Sequence, residues 1–515
     1  MGTASARWRA MAMTYLARLR ELVGMGAHNG AESNTVRARF LRGAVWSVAG
    51  SVVNQGAAFV ASLMAARMLG AGGFGELSMV QGSVTTWATV AVLGMNLTAT
   101  RYLADLASDR SRGGRILGLA YLIAGGFGLV CAVGLLAGAG WLSARVLGEP
   151  DLAASLRVGS VLMLVTVVDA VQAGALVGLE AFRALAWTRL AYGIVIVPAM
   201  AIGVGLAGVE GAVAGLGLAG AVRAVGGRLV LRRACQEQGI RVELCGAFHE
   251  VAVIPRVSLP SALGGILVGL ATWLAQVVFA QQPGGYPDLG VFNAALQWRM
   301  AILFLPTALG SVLLPLVASQ GEESSRRFQV FNQLMAWALV SFMALPLMAF
   351  PEAVAWLYGS RFGLEGFSQT MALVMLTAIV LGFSDGLFRV LASRDLLWWG
   401  VASNLTRGVL LLVVTFFTRS MGPQGLALAY GIAYVCTMAL YLPLYWTRDL
   451  VPRDLLFSGE AAITWALTVA VAGFGYLRVA AVWRGLGLGI AITWWVFRVW
   501  RLLGVRDLLP GAMRA

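Results

Sequence analysis

Residues 43–66 read GAVWSVAGSVVNQGAAFVASLMAA and contain no charged side chain, while the six residues before them, 37–42, read RARFLR. A bilayer core takes roughly 20 apolar residues in helical form, because hydrocarbon offers backbone N–H and C=O groups no partner. The stretch therefore predicts a membrane-spanning helix with a basic flank. The same pattern recurs along the chain and predicts further spans at 78–99, 116–142, 154–178, 185–207, 209–231, 257–281, 290–318, 328–350, 368–388, 396–418, 424–446, 460–477 and 482–500. Gly-rich or Arg-containing turns split the pairs 185–231 and 460–500. Apolar residues make up 59% of the 515 and charged residues 12%, and the mean hydropathy is +0.80. A soluble domain could not keep so few charges on its surface. The fold class expected is an all-α polytopic membrane protein of about fourteen transmembrane helices.

Every one of the 38 basic residues is Arg. With the N-terminus placed in the cytoplasm, twenty-nine fall on the cytoplasmic side and seven on the other: Arg67, Arg145, Arg157, Arg361, Arg419, Arg478 and Arg484. Two more, Arg299 and Arg407, lie inside spans. This bias follows the positive-inside rule and predicts cytoplasmic termini and an even number of spans. The net charge of +14 is then a matter of topology and of attraction to anionic inner-leaflet lipid, and nucleic acid is not needed to explain it. Residues 5–23 put Trp8, Tyr15, Leu19 and Leu22 on one face and Arg7, Arg18 and Arg20 off it, the pattern of an interfacial amphipathic helix. No cleavable signal peptide is expected before it.

The hydrophilic segments leave no room for a soluble catalytic domain, since the longest runs only from 232 to 256. Cys131, Cys235, Cys245 and Cys436 fall in spans or on the cytoplasmic side, where a disulfide is not expected. Cys235 and Cys245 with His249 do not have zinc-site spacing. GLGLAG at 215–220 fits a dinucleotide-loop pattern but lies in an apolar span with no preceding strand, and there is no Walker A sequence. No metal or cofactor is expected.

The chain resembles itself at an offset near 215. WLSARVLG from Trp141 matches WLYGSRFG from Trp356, Gly75 falls on Gly290, and GAVAGLG from Gly211 parallels GLALAYG from Gly425. Each copy holds six spans, an even number, so both cross the membrane in the same orientation, as a parallel repeat. The expected organisation is a tail at 1–42, a first lobe at 43–231, a linker at 232–256, a second lobe at 257–446, two extra helices within 460–500 and a tail at 501–515. Gly70 and Gly75 are expected to make a tight turn between the first two spans. Gly211/Gly215 and Gly134/Gly138 are expected to let helices approach closely.

Residues 40–104 carry a resemblance. A basic flank, a first span with Asn54 and Gln55, the pattern LG-x-x-x-FG (Leu69, Gly70, Phe74, Gly75) and an Arg after the second span resemble the polysaccharide transporters of the multidrug/oligosaccharidyl-lipid/polysaccharide exporter superfamily, which includes O-antigen flippases. The fourteen-span, two-lobe plan is similar along the whole chain. The resemblance implies a non-enzymatic flippase in a bacterial-type cytoplasmic membrane. It implies as substrate a polyprenyl-diphosphate-linked oligosaccharide, moved between leaflets by alternating access, with membrane lipids and polysaccharide polymerase or assembly proteins as partners.

A diphosphate head group needs cations inside the bundle, and Arg binds phosphate oxygens in pairs. A charge at mid-bilayer costs at least about 2.5 kcal/mol, so an intramembrane Arg is by default a functional candidate. Arg299, with Asn293 and Gln297 nearby on the same helix, leads, and Arg407 with Asn404 follows. Asn54 and Gln55 either line a cleft or bond between helices. Asp169 and Asp385 occupy corresponding places in the two repeats and could couple transport to protons or a cation. Equally, Asp385 could neutralise Arg407, and Asp169 another buried Arg. Three other readings remain open. A cation-coupled multidrug exporter predicts an acid-lined cleft, and a membrane glycosyltransferase or polymerase predicts acids on a large external loop. The third is a scaffold that transports nothing.

Overall fold

A computed structural model describes residues 31–104, 110–244, 246–253, 258–318, 322–359, 362, 366–393, 397–447 and 458–502. The amphipathic segment at 5–23, Cys245 and several loop arginines, Arg361 among them, lie outside the described residues.

The described chain is helical and holds fourteen spans, as the sequence predicts. Nine of its helical stretches are long and apolar enough to cross a membrane, and two of these, Val45–Val92 and Phe182–Glu237, run to 48 and 56 residues. At 1.5 Å per residue each is far longer than the roughly 30 Å hydrocarbon core, so each must turn back. The helix Ala31–Val92 does so at Gly70, with φ 73°, which gives spans 1 and 2. Phe182–Glu237 does so at Ala207 and Gly208, giving spans 5 and 6, at the break expected between 207 and 209. Span 2 breaks again at Leu93–Gly94 and ends in Met95–Ala104.

Span 3 is Arg110–Trp141 with a π-helical end, Leu142–Leu147, and span 4 is Leu152–Gly178. Spans 7 to 9 are Leu259–Ala280, Gly285–Ala318 and Glu322–Ala349. A short helix, Pro351–Tyr358, bends 77° from span 9. Spans 10 to 14 are Phe367–Ser393, Leu397–Thr418, Pro423–Thr447, Gly459–Tyr476 and Ala481–Leu502. Successive spans alternate in direction, so the bundle has an arginine-rich end and an arginine-poor end. Trp141 and Trp356, partners in the repeat, are 66% and 75% exposed at the arginine-poor end, where amphipathic rings mark a membrane boundary.

Spans 1 to 6 pack on one another and spans 7 to 12 on one another, while spans 13 and 14 lie against spans 9 and 10. Between the two groups, spans 1 and 2 meet spans 7 and 8. Trp273 Nε1 of span 7 donates to Ser83 Oγ of span 2 at 2.9 Å, and the hydroxyls of Thr98 and Ser258 meet at 2.5 Å nearer the arginine-rich end. Phe59 of span 1 stands edge-on to Trp298 of span 8, centroids 4.9 Å apart.

The Gly75 expectation needs correction. Gly70 makes the turn, but Gly75 lies inside helix, and its role is a crossing. A Cβ on Gly75 would stand 1.9 Å from the Tyr286 carbonyl oxygen, and one on Gly290 would stand 1.9 Å from that of Ala71. The two repeat-related glycines thus bring spans 2 and 8 backbone to backbone.

Small-residue pairs elsewhere divide in the same way. Gly211 is pressed on the Gly203 carbonyl, where a Cβ would meet oxygen at 1.8 Å, whereas Gly134 and Gly138 have nothing within 4 Å. The packing role expected for the second pair is therefore not found. Gly211→Val is expected to cost about 1–3 kcal/mol of stability through overpacking, and Gly134→Val to leave the melting temperature of the detergent-purified protein unchanged. Equal melting temperatures for the two variants would contradict this assignment.

The linker after span 6 is strapped to span 3 rather than loose. Span 6 runs on to Glu237, and the chain then lays the Arg241 and Glu243 carbonyls on Gly114 and Gly118, where a Cβ would meet oxygen at 1.9 and 2.1 Å. Glu250 in the 3-10 helix Ala247–Val253 completes the strap, pairing with Arg112 at 3.0 Å and Arg115 at 3.1 Å.

Candidate functional site

The interior of the bundle holds two arginine clusters, one in each group of spans. In the first, Arg223 of span 6 pairs with Asp169 of span 4 at 2.9 Å and lies over the Tyr192 ring of span 5, 4.4 Å from its centroid. Its Nη1 also donates to Asn54 Oδ1 of span 1 at 3.5 Å. Arg189 of span 5 donates to Ser51 Oγ and lies within electrostatic reach of both Arg223 and Asp169. Two guanidinium groups therefore share one carboxylate. Residue-by-residue reading assigned Arg189 and Arg223 to the arginine-rich flank, because each stands near the end of a predicted span. The helix runs from Phe182 through to Glu237, past both predicted ends, and each side chain turns toward the interior onto a polar partner. A signal was available, since Asp169 in mid-span required a cation and Arg223 is on the helix beside it.

In the second cluster, Arg299 of span 8 is 4% exposed and sits over the Tyr430 ring of span 12 at 5.4 Å. Its Nε and Nη1 are buried with no hydrogen-bond partner among the described residues. Arg407 of span 11 donates to Asn404 Oδ1 at 2.6 Å and lies 4.6 Å from the Tyr434 centroid. The two cations are within electrostatic reach of each other, with both tyrosines beside Arg299. Sequence reading found both arginines and missed both rings. Tyr430 and Tyr434 stand four residues apart on one face of span 12, a spacing that marks a shared face but no particular partner.

The remaining candidates separate. Gln297 reaches across to Ser62 Oγ of span 1, so it joins the two groups of spans. Asn293 turns back on its own helix and donates to the Leu289 carbonyl at 3.1 Å. Gln55 is half-buried on span 1 beside Asn54. Asp385 of span 10 is not brought to Arg407, whose partners are Asn404 and Tyr434. At the position 215 residues beyond Arg223, the partner of Asp169, the second repeat carries Met438. Asp169, by contrast, pairs with the half-buried Arg223, one of the two roles open to it.

Repeat arithmetic also shows an exchange. Position 215 beyond Tyr192 is Arg407, and Tyr434 lies one helical turn from the counterpart of Arg223. The first group puts Tyr on span 5 and Arg on span 6; the second puts Arg on span 11 and Tyr on span 12. Each ring-face contact with a cation is a favourable one.

With this geometry in hand, residues 40–321 match the model of a family described as polysaccharide biosynthesis protein. The chain belongs to the polysaccharide biosynthesis protein family. Among curated relatives, the EPS I polysaccharide export inner membrane protein EpsE of Ralstonia nicotianae is 24% identical over 419 residues, spanning 78% of this chain and 92% of the relative. Among solved structures, the lipid II flippase MurJ in an inward closed conformation matches with a TM-score of 0.64 at 14% identity, over 90% of this chain and 100% of that one. An inward-facing multidrug resistance MATE family transporter of the MOP superfamily matches at 0.59 and 14%, over 78% of this chain and 95% of that one. At such identities these two structures speak for a shared fold. This member of the polysaccharide biosynthesis protein family is thus a multi-pass membrane protein with the transporter architecture that its sequence predicts.

Proposed function

We propose that the chain is a flippase that carries a polyprenyl-diphosphate-linked oligosaccharide across the cytoplasmic membrane for cell-surface polysaccharide synthesis, with both termini in the cytoplasm. The four arginines of the two clusters, with Asp169 the one acid that pairs with any of them among the described residues, are the observation that supports this reading. Arg189, Arg223, Arg299 and Arg407 form an electropositive interior, the complement of a diphosphate that must leave water. The two groups of spans act as lobes that rock about the contact of spans 1 and 2 with spans 7 and 8, while the polyprenyl tail stays in lipid. Asn54 and Gln55 lie on span 1 at the edge of the first cluster. Gln297 ties span 8 to span 1 through Ser62, and its carbonyl oxygen and Asn293 remain candidates for the sugar part of the substrate.

The cation-coupled drug exporter fits less well. Asp169 already spends its charge on Arg223, which opposes a role in binding a transported cation, and no acid pairs with the second cluster among the described residues. The export names of the curated relatives favour a carrier over a glycosyltransferase or polymerase. Arg299→Ala is expected to lower polysaccharide export about ten-fold or more, through loss of a charge-assisted contact worth about 1.5–3 kcal/mol, with normal insertion. Undiminished export by a correctly inserted variant would remove Arg299 from the substrate path.

A further inference from the structure

We propose that the pocket between spans 7, 11 and 12 is a site for a single monatomic anion of the chloride class. Its walls bring together Thr272 of span 7, Asn404 and Arg407 of span 11, and Tyr430 and Tyr434 of span 12. The contacts of Arg407 with Asn404 and Tyr434 leave its full charge uncancelled. Tyr430 is only 3% exposed, and its hydroxyl makes no hydrogen bond of good geometry, although Thr272 and Gln276 lie beside it. Behind that ring stands Arg299, with two buried nitrogens unpartnered. No salt bridge reaches either arginine among the described residues.

Buried polar groups are nearly always partnered, and a buried charge is costly unless it is paired. Here a guanidinium, a phenol and a hydroxyl converge as donors around a space with no acidic acceptor. The missing partner must therefore accept hydrogen bonds and carry negative charge. Water meets the first requirement only, and a cation meets neither. Size narrows the choice further. The cavity is about 10 Å³, the smallest that takes one water-sized body. A halide ion, somewhat larger than water, enters with a slight outward shift of the lining side chains, whereas a diphosphate needs the helices to part. The inference rests on the reading of Arg299 and Arg407 as cations of the transport path: the small anion holds the pair between cycles and is displaced when the larger one arrives.

Thermal unfolding of the full chain in detergent tests this, with chloride exchanged for gluconate at constant ionic strength. A saturable rise in melting temperature with chloride, reproduced by bromide, is expected. Tyr430→Phe keeps the ring against Arg299 and removes one donor, so it should weaken the chloride midpoint about ten-fold, the loss of one hydrogen bond to an ion. Arg407→Gln should abolish the response; if that variant does not fold, Tyr430→Phe still decides. No saturable chloride dependence in the parent protein, or an unchanged midpoint in both variants, would overturn the proposal. The measurement contains no lipid-linked sugar, so its failure is separable from a failure of the flippase reading, which the export phenotype of Arg299→Ala decides.

Discussion

Replacing Gly75 with leucine is expected to abolish export while leaving membrane insertion intact. Spans 2 and 8 touch there through backbone alone, and the atoms a Cβ would meet are the Tyr286 carbonyl and the Gly290 amide, at 1.9 and 3.0 Å. Carbonyls inside a helix cannot rotate away, so the clash is relieved only by separating the two spans. The variant would then be held apart at the arginine-poor end and could not complete a cycle. The loss of export should be at least about ten-fold, since preventing one closed state by even 1.4 kcal/mol has that effect. Gly290→Leu should behave alike, because its Cβ meets the Ala71 carbonyl by the same geometry. A cysteine at Gln297, in a background without native cysteines, should become open to a membrane-impermeant thiol reagent in Gly75→Leu and stay protected in the parent. Normal export by Gly75→Leu would show that the crossing is not part of the cycle.

The second large effect concerns Asp169 and Arg223. Breaking a buried pair by removing one partner costs about 3–5 kcal/mol, because a charge is left behind. Both side chains here keep about a fifth of their surface open, 21% for Arg223 and 19% for Asp169, which places the expected loss near the low end, about 3 kcal/mol. Asp169→Asn is the harsher single change, since Asn keeps the shape but leaves two cations facing each other. Arg223→Gln leaves the carboxylate with Arg189 as a second partner. The double variant should be more stable than the sum of the singles predicts, a coupling readable as a non-additive melting temperature. Additive singles would mean that the pair is not an energetic unit. Export should fall in every variant lacking Arg223 and survive in part in Asp169→Asn.

Much of this architecture is legible in the sequence, for physical reasons. A bilayer imposes a length and an apolarity that local composition reports directly, so the fourteen spans and the break near Gly208 emerge from hydropathy and glycine alone. Side-chain partners are a different matter. Arg223 and Arg498 look like flank residues because hydropathy windows end near them. Yet Arg498 is fully buried, donates to Thr464 Oγ1 at 2.7 Å and lies 4.7 Å from the Trp337 ring. Aromatic and hydroxyl partners extend the depth at which an arginine can live, and no linear window registers a partner 34 or 161 residues away. Gly75 illustrates the converse. Its place in a short glycine pattern points to a turn, whereas its repeat mate Gly290 points to a symmetry-related contact. The second clue is the one that matches the structure.

The exchanged ring–cation pairs, Tyr192 with Arg223 and Arg407 with Tyr434, carry a thermodynamic consequence. Duplication copies a backbone, and a parallel repeat sets the two copies at the same depth in the membrane. Here the halves are alike in shape and unlike in charge, because among the described residues an acid pairs with the clustered arginines only in the first. A passenger anion between them faces a partly neutralised wall on one side and an uncancelled one on the other. Around a closed cycle, any difference in how tightly it is held in the two orientations must equal the difference between the loaded and the empty carrier in their preference for those orientations.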